Sequence, residues 1–316
     1  MSALRVTVTG ATGLIGPTLI AALRDRGAQV TVLSRDPERA QARLGSSGQP
    51  ALEAMRWEPM SEPAPAVALA GRDAVVHLAG ENVAQRWTAT AKQAIRESRV
   101  TGTRHLIEGL ADVGQQATGQ RPRTLVSASA IGYYGPHGEE PLDEDAPAGA
   151  DFLAEVCAAW EREAERAREL GIRVVQVRTG VVLDSGGGAL ERMLAPFRLG
   201  VGGPVAGGHQ YISWIHSEDL VGLTLAALED ERWSGPINAT APEPVSNRDF
   251  SRALGKALRR PALLPVPGLA LRMLYGEMSQ IITTGARALP AKPLVLGYQF
   301  RHPQLGEALR SALTPD

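Results

Sequence analysis

Along the chain, short apolar runs alternate with longer stretches in which apolar residues recur every three or four positions. Leu4 to Thr9 reads Leu-Arg-Val-Thr-Val-Thr and predicts a strand. Leu14 to Arg26 carries apolar residues at 15, 19, 22 and 23 and predicts a helix that Gly27 ends. Further strands are expected at Ala28–Ser34, around Met55 to Trp57, and at Ala74–Ala79, Arg123–Ala128 and Arg173–Arg178. Helices are expected over Thr88–Val113 and Phe152–Leu170. Such alternation is what an α/β fold needs: a doubly wound, Rossmann-type parallel sheet covered on both faces.

Beyond residue 184 glycine and proline dominate, from Gly186-Gly187-Gly188 to Pro267. One helix at about 189–199 and another from Glu218 to Glu229 are expected there. The division that follows is a dinucleotide-binding domain over 1–230 and a smaller C-terminal lobe within 184–316, two ranges that overlap where the chain returns to the sheet.

Composition narrows the classes. The 316 residues carry a formal net charge of −1, with no block of like charge, so no nucleic-acid or anionic-membrane footprint is expected. Cys157 is the only cysteine, so no intrachain disulfide is available, and the six histidines show no metal-ligand spacing. With no secretory pattern near Met1, a cytoplasmic protein is expected.

The first strand–helix turn carries the chemistry. Gly10-Ala11-Thr12-Gly13-Leu14-Ile15-Gly16 has glycines spaced for a tight turn and a close backbone approach to a pyrophosphate at a helix N-terminus. A P-loop would continue into Gly-Lys-Ser/Thr, which is absent. Ser34-Arg35 ends the second strand, where an acidic residue would take the ribose hydroxyls of NAD. A planar, permanently charged arginine there suits the 2′-phosphate of NADP(H).

At this point the chain resembles an extended short-chain dehydrogenase/reductase. The resemblance rests on Thr9–Gly16, Val76-His77-Leu78-Ala79-Gly80, Ser127–Ala130 before Tyr133-Tyr134-Gly135, and Trp214–Leu220. More narrowly it is similar to an atypical "epimerase family protein" subfamily with a C-terminal domain of unknown function at about 262–312. Gly80-Glu81-Asn82, Arg86-Trp87, Arg178–Leu183, Gly208-His209-Gln210 and Gly297–Phe300 carry that likeness. The resemblance implies that Leu78, Ala79, Gly80, Arg99 and Val182 line the cofactor site. Glu81, Asn82, Arg86, Trp87, Gln210 and Trp214 fall in segments expected near the strand ends, where such sheets bind ligands, and are substrate-side candidates; His216 lies there too and could simply cap the following helix.

The usual Tyr-x-x-x-Lys pair of such enzymes is missing. The helix after the serine reads Phe152-Leu153-Ala154-Glu155-Val156-Cys157, so the pair becomes Phe152/Val156 or Leu153/Cys157, and none of these trades protons as the pair does. Ser129 and Tyr133 are the remaining catalytic candidates. Two readings stay open: an NADP(H)-dependent oxidoreductase or epimerase-like enzyme on an unidentified small molecule, or a non-catalytic NADP(H)-binding sensor or scaffold. Phe152–Leu170 has one apolar stripe and a charged opposite face, which predicts a monomer rather than a helix-bundle dimer.

Overall fold

A computed structural model describes residues 3–45, 52–114 and 120–314. Seven strands form one parallel sheet: β1 (Arg5–Thr9), β2 (Gln29–Ser34), β3 (Glu53–Arg56), β4 (Ala74–His77), β5 (Thr124–Ala130), β6 (Arg173–Thr179) and β7 (Gly235–Ala239). Their spatial order is β7-β6-β5-β4-β1-β2-β3. The order reverses between β1 and β4, and the crevice beyond the carboxyl ends of these two strands is where such sheets bind ligands.

Both faces of the sheet are covered, so its strands are apolar on both sides. On one face Val6 and Val8 pack with Leu19, Ile20 and Leu23 of α1 (Gly16–Asp25). On the other face Leu33, Val75, Leu125 and Val174 pack with Trp57, α3 (Ala66–Leu69) and Leu106 and Leu110 of α4 (Ala89–Val113). α2 (Pro37–Leu44), which the apolar pattern did not predict, starts where Asp36 accepts the Arg39 amide and Pro37 occupies a first-turn position.

The helix expected over Phe152–Leu170 is α-helical only in α5 (Phe152–Glu165) and tightens to a 3-10 turn over Arg166–Leu170. α6 (Gly188–Arg198) and α7 (Ser217–Glu229) stand where they were expected. The expected proline punctuation hid two further helices. α8 (Asn247–Leu258) runs between Pro244 and Pro261 and is capped by Ser246, whose hydroxyl accepts the Asp249 amide. α9 (Gly268–Tyr275) follows Pro267. α8 and a last helix, Leu305–Leu313, share a separate small core with Trp214, Leu190 and Phe197.

One buried polar residue of the sheet has both of its ring nitrogens partnered. His77 is fully buried between Thr9 Oγ1 (2.7 Å from Nδ1) and Thr103 Oγ1 (3.0 Å from Nε2). Burial lowers its pKa to about 4. Above pH ~6.5 the ring is neutral in the folded and unfolded chains alike and adds no slope. Between pH ~6.5 and ~4 only the unfolded chain takes the proton, so His77 removes up to about 1.4 kcal/mol of stability per pH unit as pH falls. Histidine ring NMR is expected to show His77 titrating near pH 4. A midpoint near that of exposed histidines would mean that water reaches the ring.

Candidate functional site

The glycine turn is built by backbone contact. Gly10 has φ +67°, and a Cβ on it would lie 2.6 Å from both the Ala79 nitrogen and the Leu78 carbonyl carbon. No side chain fits there, because the turn after β1 rests directly on the chain leaving β4. Gly16 is equally constrained: its Cβ would lie 1.9 Å from the Ala11 carbonyl oxygen. α1 therefore starts tight against the turn, with no side-chain cap on its first amides. Open amides and the positive end of the helix dipole fit a pyrophosphate.

Two adjoining clefts meet at this turn. One, of about 410 Å³, is lined by Gly10, Thr12, Gly13, Ser34, Arg35, Leu78, Ala79, Gly80 and Glu81. Trp57–Met60, after β3, and Ala94, Glu97 and Ser98 of α4 complete its wall. Arg35 is exposed at the end of β2 and forms no ion pair among the described residues. The other cleft, of about 170 Å³, is lined by Leu14, Ile15, Gly16, Ala128, Thr179, Leu220 and Thr224. The sequence reading missed Trp57–Met60 and the α4 and α7 residues, because each reaches the cleft from an element distant in the chain.

Two expected cofactor residues stand back from these walls. Val182 packs against the apolar core below α7. Arg99 lies behind Gly80: its guanidinium donates to the Glu81 and Ile95 carbonyls (2.9 and 3.1 Å) and sits 5.1 Å from the Trp160 ring centre. Burial lowers its pKa against the pull of Cys157 and Glu81.

The catalytic candidates part company with expectation. Side chains alternate along β5, so Ala128 faces the smaller cleft while Ser129 points the other way, towards α5. There the Ser129 hydroxyl donates to Glu161 Oε1 at 2.6 Å. Glu161 is also gripped by Arg178, Nε to Oε1 and Nη2 to Oε2, both at 2.9 Å. The remaining Arg178 nitrogen donates to the Tyr134 hydroxyl (2.9 Å) and the Glu144 carbonyl (3.0 Å). The Tyr134 hydroxyl in turn donates to Asn238 Oδ1 at 2.7 Å. Burial works against the Arg178 charge, but its bonds to Glu161 offset this and hold its pKa above the ordinary value. Burial also pushes Tyr134 up to about 12. Ser129, expected as a catalytic candidate, is thus committed to a buried ion pair and faces away from the cleft.

Tyr133 lies flat on the same cation, its ring centre 3.5 Å from Arg178 Cζ. It is half-buried, and its hydroxyl makes no hydrogen bond among the described residues. Neither Ser129 nor Tyr133 lines either cleft. Cys157 sits under Gly132, and burial pushes its thiol up to about 12, so it offers no thiolate near neutral pH.

Three substrate-side candidates are structural. Trp87 is buried against Phe152 and donates to the Val83 carbonyl. Trp214 is fully buried and donates to the Glu243 carbonyl. Gln210 ties the Val205 and Ile282 carbonyls together. Glu81, Asn82 and Arg86 lie exposed along the loop after β4, and Arg86 comes close to Gly276 of the C-terminal lobe. The same loop is tethered from above by Arg192 of α6, which donates to the Ala84 carbonyl, and α4 is tethered by the Lys92–Glu277 pair.

His216 caps α7, its Nδ1 accepting the Glu218 amide at 3.2 Å. Tertiary structure brings His302 against it, ring centres 3.8 Å apart, and sets Glu218 beside both. The three offer ligand atoms within 4.8 Å of one another, a group that sequence spacing did not reveal. Its observed contacts are a helix cap, a ring stack and a Glu218–His302 pair that bind the C-terminal segment to α7.

Removing one partner of a buried ion pair strands the other. Arg178 and Glu161 side chains are only 4% and 11% exposed. Glu161→Ala is therefore expected to cost about 3–5 kcal/mol in urea unfolding, with Ser129 losing its acceptor as well. A loss under about 1 kcal/mol would mean the pair is solvated, as surface pairs are.

Comparison with known proteins agrees with this architecture. A model of the NAD dependent epimerase/dehydratase family matches residues 6–239, and one of a domain of unknown function, DUF1731, matches 266–312. The chain is 42% identical to Epimerase family protein Mb2239 of Mycobacterium bovis, over 98% of this chain and 97% of that one. Among solved structures it is similar to human epimerase family protein SDR39U1 (isoform 2), crystallised with NADPH. There the TM-score is 0.83 at 34% identity, covering 98% of this chain and 99% of that one. It is also similar to a nucleoside-diphosphate sugar epimerase from Corynebacterium glutamicum (TM-score 0.75, 35% identity), covering 99% of this chain but 58% of that longer one.

Proposed function

The chain belongs to the NAD dependent epimerase/dehydratase family, and from that premise we propose that it is an NADP(H)-dependent oxidoreductase or epimerase-like enzyme acting on a small molecule. One observation carries the cofactor choice. Arg35, exposed and free of an ion pair among the described residues, stands in the wall of the 410 Å³ cleft that the glycine turn opens onto. The amides at the start of α1 would hold a pyrophosphate, and the Arg35 guanidinium, in the wall of the same cleft, would pair with a 2′-phosphate. The human relative crystallised with NADPH supports the same choice. Bound there, the cofactor supplies a hydride donor or acceptor.

What this chain must supply is a proton. Leu153 and Cys157 flank Gly132 where the missing Tyr/Lys pair would be expected, and Ser129 is held by Glu161. Tyr133 keeps an uncommitted hydroxyl, and its ring is fixed on the Arg178 guanidinium. In this reading Tyr133 is the proton-transfer residue, and Ser129 acts as a positioning residue through the Glu161–Arg178 pair beneath it. The second reading, an NADP(H)-binding sensor or scaffold without turnover, is favoured by one specific observation: the polar groups around β5 are spent on a buried network rather than aimed into the cleft.

Calorimetry is expected to show NADPH bound about 10- to 150-fold more tightly than NADH, the equivalent of a charge-assisted bond of about 1.5–3 kcal/mol. Arg35→Asp should remove that preference; equal affinities in the native protein would sink the assignment. Turnover is assayed as NADPH oxidation against aldehydes, ketones, quinones and sugar nucleotides, with epimerisation followed by product analysis. Tyr133→Phe should lower kcat by about 10²-fold at unchanged NADPH affinity, while Ser129→Ala lowers stability first. Native kcat in Tyr133→Phe removes Tyr133 from the mechanism. NADPH binding without any turnover across the panel favours the sensor.

A further inference from the structure

The net charge of −1 conceals a strongly uneven distribution. From Phe250 to Gly276 the sequence has no acidic residue and five basic ones, Arg252, Lys256, Arg259, Arg260 and Arg272. All five are exposed, as is Arg198 at the end of α6. Arg252 pairs with Asp249; the other five cations form no ion pair among the described residues.

The same region exposes apolar surface. None of the eight residues of α9 is buried, and Leu269 and Met273 are each 70% exposed. Leu263, at 80%, and Leu264 project from the loop before it, and Leu199 from the end of α6. Backbone contacts put these segments side by side. Arg260 donates to the Arg198 carbonyl, Val205 bridges Val266, and a Cβ on Gly203 would touch the Leu264 backbone. Pro261, Pro265 and Pro267 restrict the loop, so the shelf is presented already formed. With Leu274, also exposed, six large apolar side chains are left in water beside unpaired cations, a surface built to be covered.

We infer that this shelf docks the protein onto an anionic lipid surface. Leu263, Leu264, Leu269, Met273 and Leu274 enter the headgroup boundary, and Arg198, Lys256, Arg259, Arg260 and Arg272 meet lipid phosphates. Two features select a bilayer over a second copy of the chain. A two-fold interface places the same patch on both sides, so a dimer here would press five unpaired cations against five others. An anionic bilayer answers both halves of the surface at once, taking apolar side chains at its boundary and cations at its phosphates. α9 is about 12 Å long and can only lie in the interface plane; among the described residues no helix is long and apolar enough to cross a membrane. Since Glu277, just past α9, pairs with Lys92 of α4, docking would set the loop and cleft beside the lipid surface.

The test is co-sedimentation of the full chain with phosphatidylcholine vesicles and with vesicles containing one-third phosphatidylglycerol. Binding is expected on the anionic vesicles only and should be reversed by high salt. Leu269→Glu with Met273→Glu, and separately Arg259→Glu with Arg260→Glu, should each weaken it by about tenfold or more, with NADPH affinity unchanged. Leu263→Ser, in the loop, gives the same readout should the helix variant disturb folding. Equal retention on neutral and anionic vesicles, no retention on either, or variants that bind like the native chain would overturn the inference. So would light scattering that shows a dimer dispersed by Met273→Glu, which assigns the shelf to a second copy.

Discussion

The Arg178–Glu161 pair is the contact on which the upper half of this molecule is organised. Its guanidinium is buried at the carboxyl end of β6 and spends its donors on α5, on the turn after β5 and on the chain after it. Through the Tyr134 hydroxyl and Asn238 the network passes to β7, and Asn238 donates on to the Leu289 carbonyl in the C-terminal segment. Glu144 closes the circuit by accepting the Asn238 and Lys292 amides. A charge taken this far from water is tolerable only because every face of it is met. That requirement fixes where the C-terminal lobe sits over the sheet.

The same requirement reshapes the chemistry near β5. A serine and two tyrosines gathered after a parallel strand look like a proton-transfer site when read as residue types. In the folded chain Ser129 and Tyr134 serve the buried ion pair, and among the described residues the Tyr133 hydroxyl has no partner. The cofactor end is simpler. There the constraint is steric, since Gly10 touches the backbone leaving β4 and Gly16 touches Ala11, and the helix N-terminus does the rest.

The cleft is also bounded from the C-terminal side. Arg192 reaches the loop after β4, Lys92 pairs with Glu277, and the His216–His302 stack fastens the segment past Phe300 to the start of α7. These contacts join residues from 86 to 185 positions apart in the chain. They tie the C-terminal lobe to the loop after β4, to α4 and to α7, elements that line the clefts.

The sequence by itself indicated six of the sheet's seven strands, the glycine turn, the arginine at the end of β2 and a candidate cap at His216, but it gave no signal for β7 at the sheet's edge. Each is local: strand and helix periodicity, a turn that only glycine can make, and a cap two residues from its amide are written in neighbouring positions. Tertiary structure alone decided which way Ser129 points, that Trp87, Gln210 and Trp214 are spent on carbonyls, and that Arg99 stands behind Gly80. It also decided that α9 buries none of its eight residues while an equally short helix, α2, buries Ala40 and Leu44. A one-residue step along a strand turns a side chain to the opposite face, and a buried polar group takes whichever partner the fold delivers. Ser129, Trp214 and Arg99 meet partners 18 to 32 positions away, so both face and partner waited for the assembled fold.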